Sequence, residues 1–253
     1  MTKGVAIKFK SYDETVPALL RVIKLDEELK KHDKIVLKPN LHSNSEHFTP
    51  TDFVEQVVRF CVQHKNPGAE IVIAEGSDGH DTLDLFEERG YRVIAEKYGV
   101  GLVDLNRTDV EVVSDSDFLI KDSVMYPRVM KNSFVISLPL LKKHDSFGLT
   151  GSLYNLLGVY PGSHYRGFFS RNKNKLVGPV KYQIHDIVKA KMPGLSLVDA
   201  HEQGYILAGH PLETDKQAAK ILGLDWRSVG HLRLVDESLK PKKAEIMPVL
   251  ERQ

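Results

Sequence analysis

The chain has 253 residues, 42% of them hydrophobic and 27% charged, proportions of a folded globular protein that exclude disorder, collagen and coiled coil. Lys and Arg number 35 against 34 Asp and Glu, so no global basic field draws nucleic acid or an anionic membrane, and any such contact must come from a local patch. The single cysteine, Cys61, excludes an intrachain disulfide and any cluster or zinc site built from several thiolates of one chain, and fits a reducing compartment.

The opening MTKGVAIKFK lacks the regions of a signal peptide, and no apolar run approaches the roughly 18 residues of a membrane span. The expectation is a cytoplasmic protein without a membrane partner. VAIKF at 5–9 predicts an edge strand. IVLKPN at 35–40 is the first of five short, nearly continuous apolar runs that predict strands buried on both faces. The others are EIVIAEGS at 70–77, GLVDLN at 101–106, FVISLP at 134–139 and LSLVDA at 195–200. Helical patterns lie between them at 49–65 and 82–99; in the first, Phe53, Val57, Phe60 and Cys61 share a face and Thr49 or Thr51 is the candidate N-cap.

Residues 110–131 predict a small β insertion, and Thr150 opens a predicted helix over 150–158. The stretch 158–181 reads as a long loop, of a length that is usually functional. Helices are predicted at 212–224 and 225–239. The fold class is α/β, a mostly parallel sheet flanked by helices, with 1–239 as one domain and 240–253 as a tail.

Ligands of open parallel sheets bind beyond the carboxyl ends of the strands. Those ends carry Lys38, Pro39 and Asn40, then Glu75, Gly76 and Ser77, then Asp104 and Asn106, then Lys142 and His144, then Asp199 and His201. Lys38 is held near the sheet by the proline that follows it, and can bind a carboxylate or phosphate or serve as a base. Alternatively it salt-bridges Glu75 across adjacent strand ends. Lys142 and His144, followed by a helix start at Thr150, suit an anion site with a proton-transfer group beside it. Asn155 falls in the first turns of that helix and can orient a substrate.

No phosphate-loop, dinucleotide, nucleophile-elbow or HExxH signature occurs, so the sequence names no cofactor. The pair His42 and His47, or His201 with Glu202, ligates a metal only if folding assembles it, and no metal ligand is assigned. Between Gly158 and Lys181 stand Arg166, Arg171, Lys173, Lys175 and Lys181 without an Asp or Glu, interleaved with Tyr160, Tyr165, Phe168 and Phe169. Such a segment grips nucleic acid, closes as a lid over an anionic small molecule, or is a solvated loop whose aromatics dock on the body.

IVLKPNL, IAEGS, PLLKKH, GLTGSLYNLLGVYPG and AGHPLETDKQAAKILGLD resemble, in order and spacing, the family known as domain of unknown function 362, over roughly residues 33–236. The resemblance implies an α/β protein of unsettled activity. Many members are joined to ferredoxin-type segments that bind iron–sulfur clusters, and a fainter, fold-level similarity leads to the nickel-pincer lactate racemase. It singles out Lys38, Pro39 and Asn40, Glu75, Gly76 and Ser77, Lys142 and His144, Thr150, Gly151 and Asn155, and Asp215. The sequence departs from the family at Tyr154, where a lysine is usual, and at His210, where an aspartate is usual, and in the shortened AHEQGYIL after Asp199.

The favoured expectation is an enzyme for a small anionic metabolite, with His144, Lys38 and Lys142 catalytic and Asn40, Glu75, Ser77, Thr150, Gly151, Asn155, Asp199 and Asp215 binding the ligand. The alternatives are a noncatalytic binding module, gripping RNA or a protein through 158–181, and an accessory protein of an iron–sulfur system. Nothing in the sequence sets the oligomeric state.

Overall fold

A computed structural model describes residues 4–41 and 47–240. The elements run β1 (Val5–Lys8), α1 (Tyr12–Val22), α2 (Leu25–Leu29), β2 (Lys34–Pro39), α3 (Thr51–His64), β3 (Glu70–Glu75), α4 (Thr82–Glu88), α5 (Tyr91–Tyr98) and β4 (Gly101–Asp104). The hairpin β5 (Val110–Ser114) and β6 (Ser123–Pro127) follows, then α6 (Arg128–Lys131), β7 (Phe134–Leu138) and a second hairpin, β8 (Lys142–His144) with β9 (Gly148–Thr150). A 3-10 helix (Tyr154–Val159) and α7 (Gly162–Tyr165) lead to α8 (Val180–Ala190), β10 (Leu195–Ala200), β11 (Tyr205–Gly209), α9 (Pro211–Ile221) and α10 (Gly230–Ser238).

Seven strands form one sheet in the order β1-β11-β10-β7-β2-β3-β4. The five from β10 to β4 are parallel, while β11 runs antiparallel to β10 and to β1. From β2 the chain steps outward to β3 and β4, then returns to the other side of β2 as β7. The switch point of the sheet therefore lies between the carboxyl ends of β2 and β7, where Lys38 pairs with Ser137 and Pro39 with Leu138.

Strand alternation builds two cores. Ile35, Leu37, Ile71, Ile73 and Ile136 face α1 to α5, meeting Leu19, Leu29, Phe53, Val57 and Tyr91. Val36, Val72, Val135 and Val198 face the opposite layer, meeting Leu156, Ile184, Ile187, Ala218 and Leu232. Each such side chain contributes roughly 1.5–3 kcal/mol on burial. Cys61 lies in the first core, fully buried, and burial pushes its thiol up to about 12.

Several local expectations are corrected. The helical pattern 82–99 is two helices, because Gly90 between them adopts φ 76°, a conformation that breaks the helix and suits glycine. The predicted helix over 150–158 is instead the end of a strand, a turn and a 3-10 helix, so Thr150 is no N-cap and no α-helix amino terminus adjoins Lys142 and His144. Helices α1 and α8 and strand β11 add to the elements expected. The region 158–181 contains the short α7 but is otherwise irregular. Of the expected tail 240–253, all but Lys240 lies outside the described residues.

Neither Thr49 nor Thr51 caps α3, whose N-cap position is Pro50. The Thr51 hydroxyl donates to the Arg89 carbonyl. Thr49 serves the sheet: its Oγ1 accepts from Asn40 N at 2.8 Å and donates to the Leu138 carbonyl at 2.6 Å, while Tyr91 donates to the Thr49 carbonyl at 2.7 Å. One buried threonine thus fastens the ends of β2 and β7 to each other and to α5. Thr49→Val, which keeps the shape and deletes the hydroxyl, is expected to lower unfolding free energy by about 1–3 kcal/mol in urea denaturation. Thr49→Ser is expected to retain most of it, and equal losses in the two variants would contradict the latch.

Candidate functional site

Lys38 continues the alternation of β2 and turns toward the Val36 face at the switch point, where it is fully buried. Its Nζ donates to Glu75 Oε2 at 2.5 Å, to Asn155 Oδ1 at 2.9 Å and to the Pro39 carbonyl at 3.3 Å. Asn155 returns two bonds through Nδ2, to the Lys38 carbonyl and to Ser137 Oγ, each at 3.0 Å. Glu75 Oε1 accepts from the Gly76 N–H at 2.9 Å. Burial draws the Lys38 pKa below the ordinary lysine value while the Glu75 carboxylate works in the opposite sense. The salt-bridge alternative is the geometry present.

Two glycines permit this arrangement. A Cβ on Gly158 would collide with Glu75 Oε1 and lie 2.9 Å from Lys38 Nζ, and a Cβ on Gly76 would collide with the Gly158 carbonyl. The 3-10 backbone therefore lies directly against the ion pair.

A cleft of about 340 Å³ opens beside the pair. Asn40, Glu75, Ser77 and Asn155, all expected at a ligand site, line it together with Asp78, Tyr154, Phe147, Leu157, Gly158 and Lys173. Lys173 comes from the long loop, where the sequence offers it only as one of five cations of a segment that could close over an anionic molecule. It is buried, and its Nζ donates to the carbonyls of Gly76 at 2.6 Å and Gly158 at 3.2 Å, while its backbone N–H donates to Asp78 Oδ1 at 2.6 Å. Burial is the chief cause that pushes its pKa down to about 7, with Lys38 and Arg166 adding to the effect against Glu75 and Asp78.

Arg166 also turns inward, donating to the Ser77 and His80 carbonyls at 2.9 and 3.3 Å, and its buried Nε has no partner. Asn106 joins the same wall, donating from Nδ2 to the Ser77 carbonyl and accepting from the Gly162 N–H at Oδ1. Thus the loop 158–181 is a strap across one side of the cleft. Within the run RNKNK nothing local distinguishes Lys173 from its exposed neighbours, so only the fold reveals it.

The remaining expected residues are not gathered at this cleft. Lys142 ion-pairs with Glu202, and His144 accepts from the Ser146 N–H and packs its ring on Phe147 at 4.4 Å and Tyr154 at 6.2 Å. His144 therefore stands behind two cleft-lining aromatics. Among the described residues no hydrogen bond or ion pair joins Lys38, Lys142 and His144, and the convergence expected of them is not what the fold builds. The hairpin β8–β9 carries the latter two outside the main sheet.

Asp199 belongs to a separate cluster at the end of β10. It accepts from the Tyr12 hydroxyl at 2.8 Å and from the backbone N–H and Nδ1 of His201, each at 3.0 Å, and the bond to Asp199 is the main cause that raises the His201 pKa. Asp215 is fully buried and accepts from Ser152 N at 2.7 Å and Leu153 N at 2.9 Å. A Cβ on Gly151 would meet the same carboxylate at 2.5 Å, and Thr150 Oγ1 donates to the Lys142 carbonyl. These three shape the turn that leads Asn155 to Lys38.

His42 lies outside the described residues. Among the described residues, no three His, Cys, Asp or Glu side chains gather as a metal-holding group. A larger cavity of about 460 Å³ lies at the opposite edge of the sheet, lined by Lys24, Glu27, Glu28, Lys31 and Phe134. Its charges are paired with one another on helix surfaces, so the smaller cleft at the switch point is the candidate site.

Lys38→Met strands the Glu75 carboxylate in the interior, and is expected to cost about 3–5 kcal/mol. The double variant Lys38→Met with Glu75→Leu is expected to recover most of that loss. Denaturant titration of the cycle checks it, and simple additivity of the two single losses would contradict the coupling.

No curated protein matches the chain. Among solved structures, it is similar to the lactate racemase apoprotein from Thermoanaerobacterium thermosaccharolyticum, with a TM-score of 0.57 and 14% identity over 88% of this chain and 58% of that one. The chain spans somewhat more than half of that protein's length, and the likeness is one of fold. Among the described residues no helix is long and apolar enough to cross a membrane. The model of the family described as domain of unknown function (DUF362) matches residues 35–218, and the chain belongs to that family.

Proposed function

We propose that the chain is an enzyme that binds a small anionic metabolite, a carboxylate or phosphate, in the cleft at the switch point. One observation carries this reading, the local charge balance. Lys38 and Glu75 neutralise each other. Asp78 then stands against both Arg166 and Lys173, and these two cations donate only to backbone carbonyls. An unpaired buried cation is costly, and an anionic ligand supplies the missing charge.

In this reading Asn40 and Ser77 bind the ligand's polar groups, Asn155 and the Lys38–Glu75 pair hold the floor rigid, and Tyr154 and Phe147 form the apolar wall. His144, packed behind those aromatics, holds the wall in place rather than touching the ligand. The racemase that shares this fold is, by its name, an enzyme of lactate, a small carboxylate.

A second reading has one observation in its favour. Phe168 and Phe169 are 93% and 97% exposed, beside exposed Arg171 and Lys175, a combination that can stack and neutralise a nucleic acid strand. With Arg166 and Lys173 turned inward, the segment offers fewer free cations than its sequence suggests, and we favour the cleft.

Thermal unfolding in the presence of millimolar lactate, succinate or phosphate tests the proposal. Ligand at a hundred times its Kd adds about 2.7 kcal/mol, several degrees of melting temperature for a chain of this size. Lys173→Gln is expected to remove most of that rise. A melting temperature indifferent to all three anions would overturn the proposal.

A further inference from the structure

The described residues include two buried lysines, Lys38 and Lys173, and they are treated in opposite ways. Lys38 has a carboxylate at 2.5 Å and an amide oxygen at 2.9 Å. Lys173, on the wall of the same cleft, has two backbone carbonyls and no carboxylate within ion-pair distance. Its stem is fixed by the Asp78 bond to its own N–H, so the amine is held in place.

A lysine amine that is buried, positioned and lacks a counter-ion is the setting in which the neutral form persists and acts as a nucleophile toward carbonyl carbon. We propose that Lys173 forms a reversible imine with the carbonyl group of an α-keto carboxylate bound in the cleft. This deepens the anion-binding reading above and rests on it.

The chemistry selects the ligand class. An α-keto acid brings in one molecule the carboxylate that the buried cation lacks and the electrophilic carbon that its free base attacks. The amine lone pair forms the C–N bond, and the carbonyl electron pair moves to oxygen, which takes a proton from the nitrogen. The carbinolamine oxygen then takes a second nitrogen-derived proton and leaves as water. Overall a lysine ammonium and a ketone give a protonated imine and water, with no oxidant, reductant or extra proton consumed. The iminium charge is balanced by the ligand's own carboxylate.

A pKa near 7 makes about half of the amine neutral at neutral pH. Lys38 and Arg166, both of which disfavour a further positive charge at Lys173, keep it so. Imine formation itself removes no positive charge, so it proceeds only when the carboxylate enters with the carbonyl.

The test is reductive trapping. The protein is incubated with pyruvate and cyanoborohydride, its mass is measured intact, and the modified peptide is sequenced. One pyruvate-derived secondary amine is expected at Lys173, with an occupancy at least about tenfold above that of any other lysine. Trapping is expected to strengthen as pH rises through about 7 and to be absent in Lys173→Arg. Because the wild-type peptide map locates the adduct directly, the conclusion does not depend on how well that variant folds. Thermal unfolding with pyruvate and with lactate is run on the same samples. If both raise the melting temperature and no adduct forms at Lys173, the imine is wrong and the anion site stands. If neither does and no adduct forms, both proposals fall. Labelling spread evenly over exposed lysines also overturns the imine.

Discussion

The ion pair between Lys38 and Glu75 constrains everything around it. Two opposite charges removed from water at the centre of a sheet edge recover their desolvation cost only when close to each other and when their remaining hydrogen-bonding capacity is filled. Here Asn155 and the Pro39 carbonyl fill the ammonium, and the Gly76 N–H takes the other carboxylate oxygen. Such pairs add little net stability but penalise every arrangement that separates them. The consequence is geometric: the 3-10 helix must bring Asn155 to the end of β2, and Gly76 and Gly158 must lack side chains.

The turn before that helix is held by equally obligatory groups. Asp215, buried on α9, accepts the Ser152 and Leu153 N–H groups, so the helix on one face of the sheet sets the position of an amide at the switch point. Thr49 performs the matching task from the other face. The cleft is therefore clamped between two layers that communicate through polar side chains at the sheet's carboxyl edge, and its third wall, the strap carrying Arg166 and Lys173, attaches through bonds to backbone carbonyls.

The five parallel strands were legible because burial on both faces leaves uninterrupted apolar runs ending in Lys38, Glu75 or Asp199. Helix α3 was legible from its apolar stripe. Helix α1 was hidden by Pro17 within it, and β11 by the polar AHEQG that precedes it, a sequence that reads as loop. The composition of the site was half visible: Asn40, Glu75 and Ser77 end strands or follow them, so the strand-end rule finds them, while Asn155 was expected in the first turns of a helix that is in fact a 3-10 helix. Lys142 and His144 satisfied the same rule but belong to a hairpin that leaves the sheet, which no local pattern signals. Lys173 was visible only as one of five cations in a segment readable as a lid, and nothing local told which of the five turns inward. Its burial depends on long-range contacts with residues 76, 78 and 158.

The departure at position 154 bears on where the cleft's positive charge comes from. The resemblance drawn from the sequence implies a lysine immediately before the asparagine that here is Asn155. In this chain Tyr154 occupies that position, lines the cleft and is held half-buried against Phe147. The 3-10 helix thus brings an aromatic wall to the cleft rather than a cation, while Asn155 completes the Lys38 network. The cleft's lysine without a carboxylate partner comes from the strap, tied to Asp78 and Gly76 and, through the Gly158 carbonyl, to the 3-10 helix itself. The position of this cation is therefore set by the strap's contacts with Gly76, Asp78 and Gly158. A side chain at position 154 stands on the 3-10 helix that the Asp215 and Asn155 bonds hold, whereas Lys173 reaches the same cleft from a separate segment whose placement rests on its own long-range bonds.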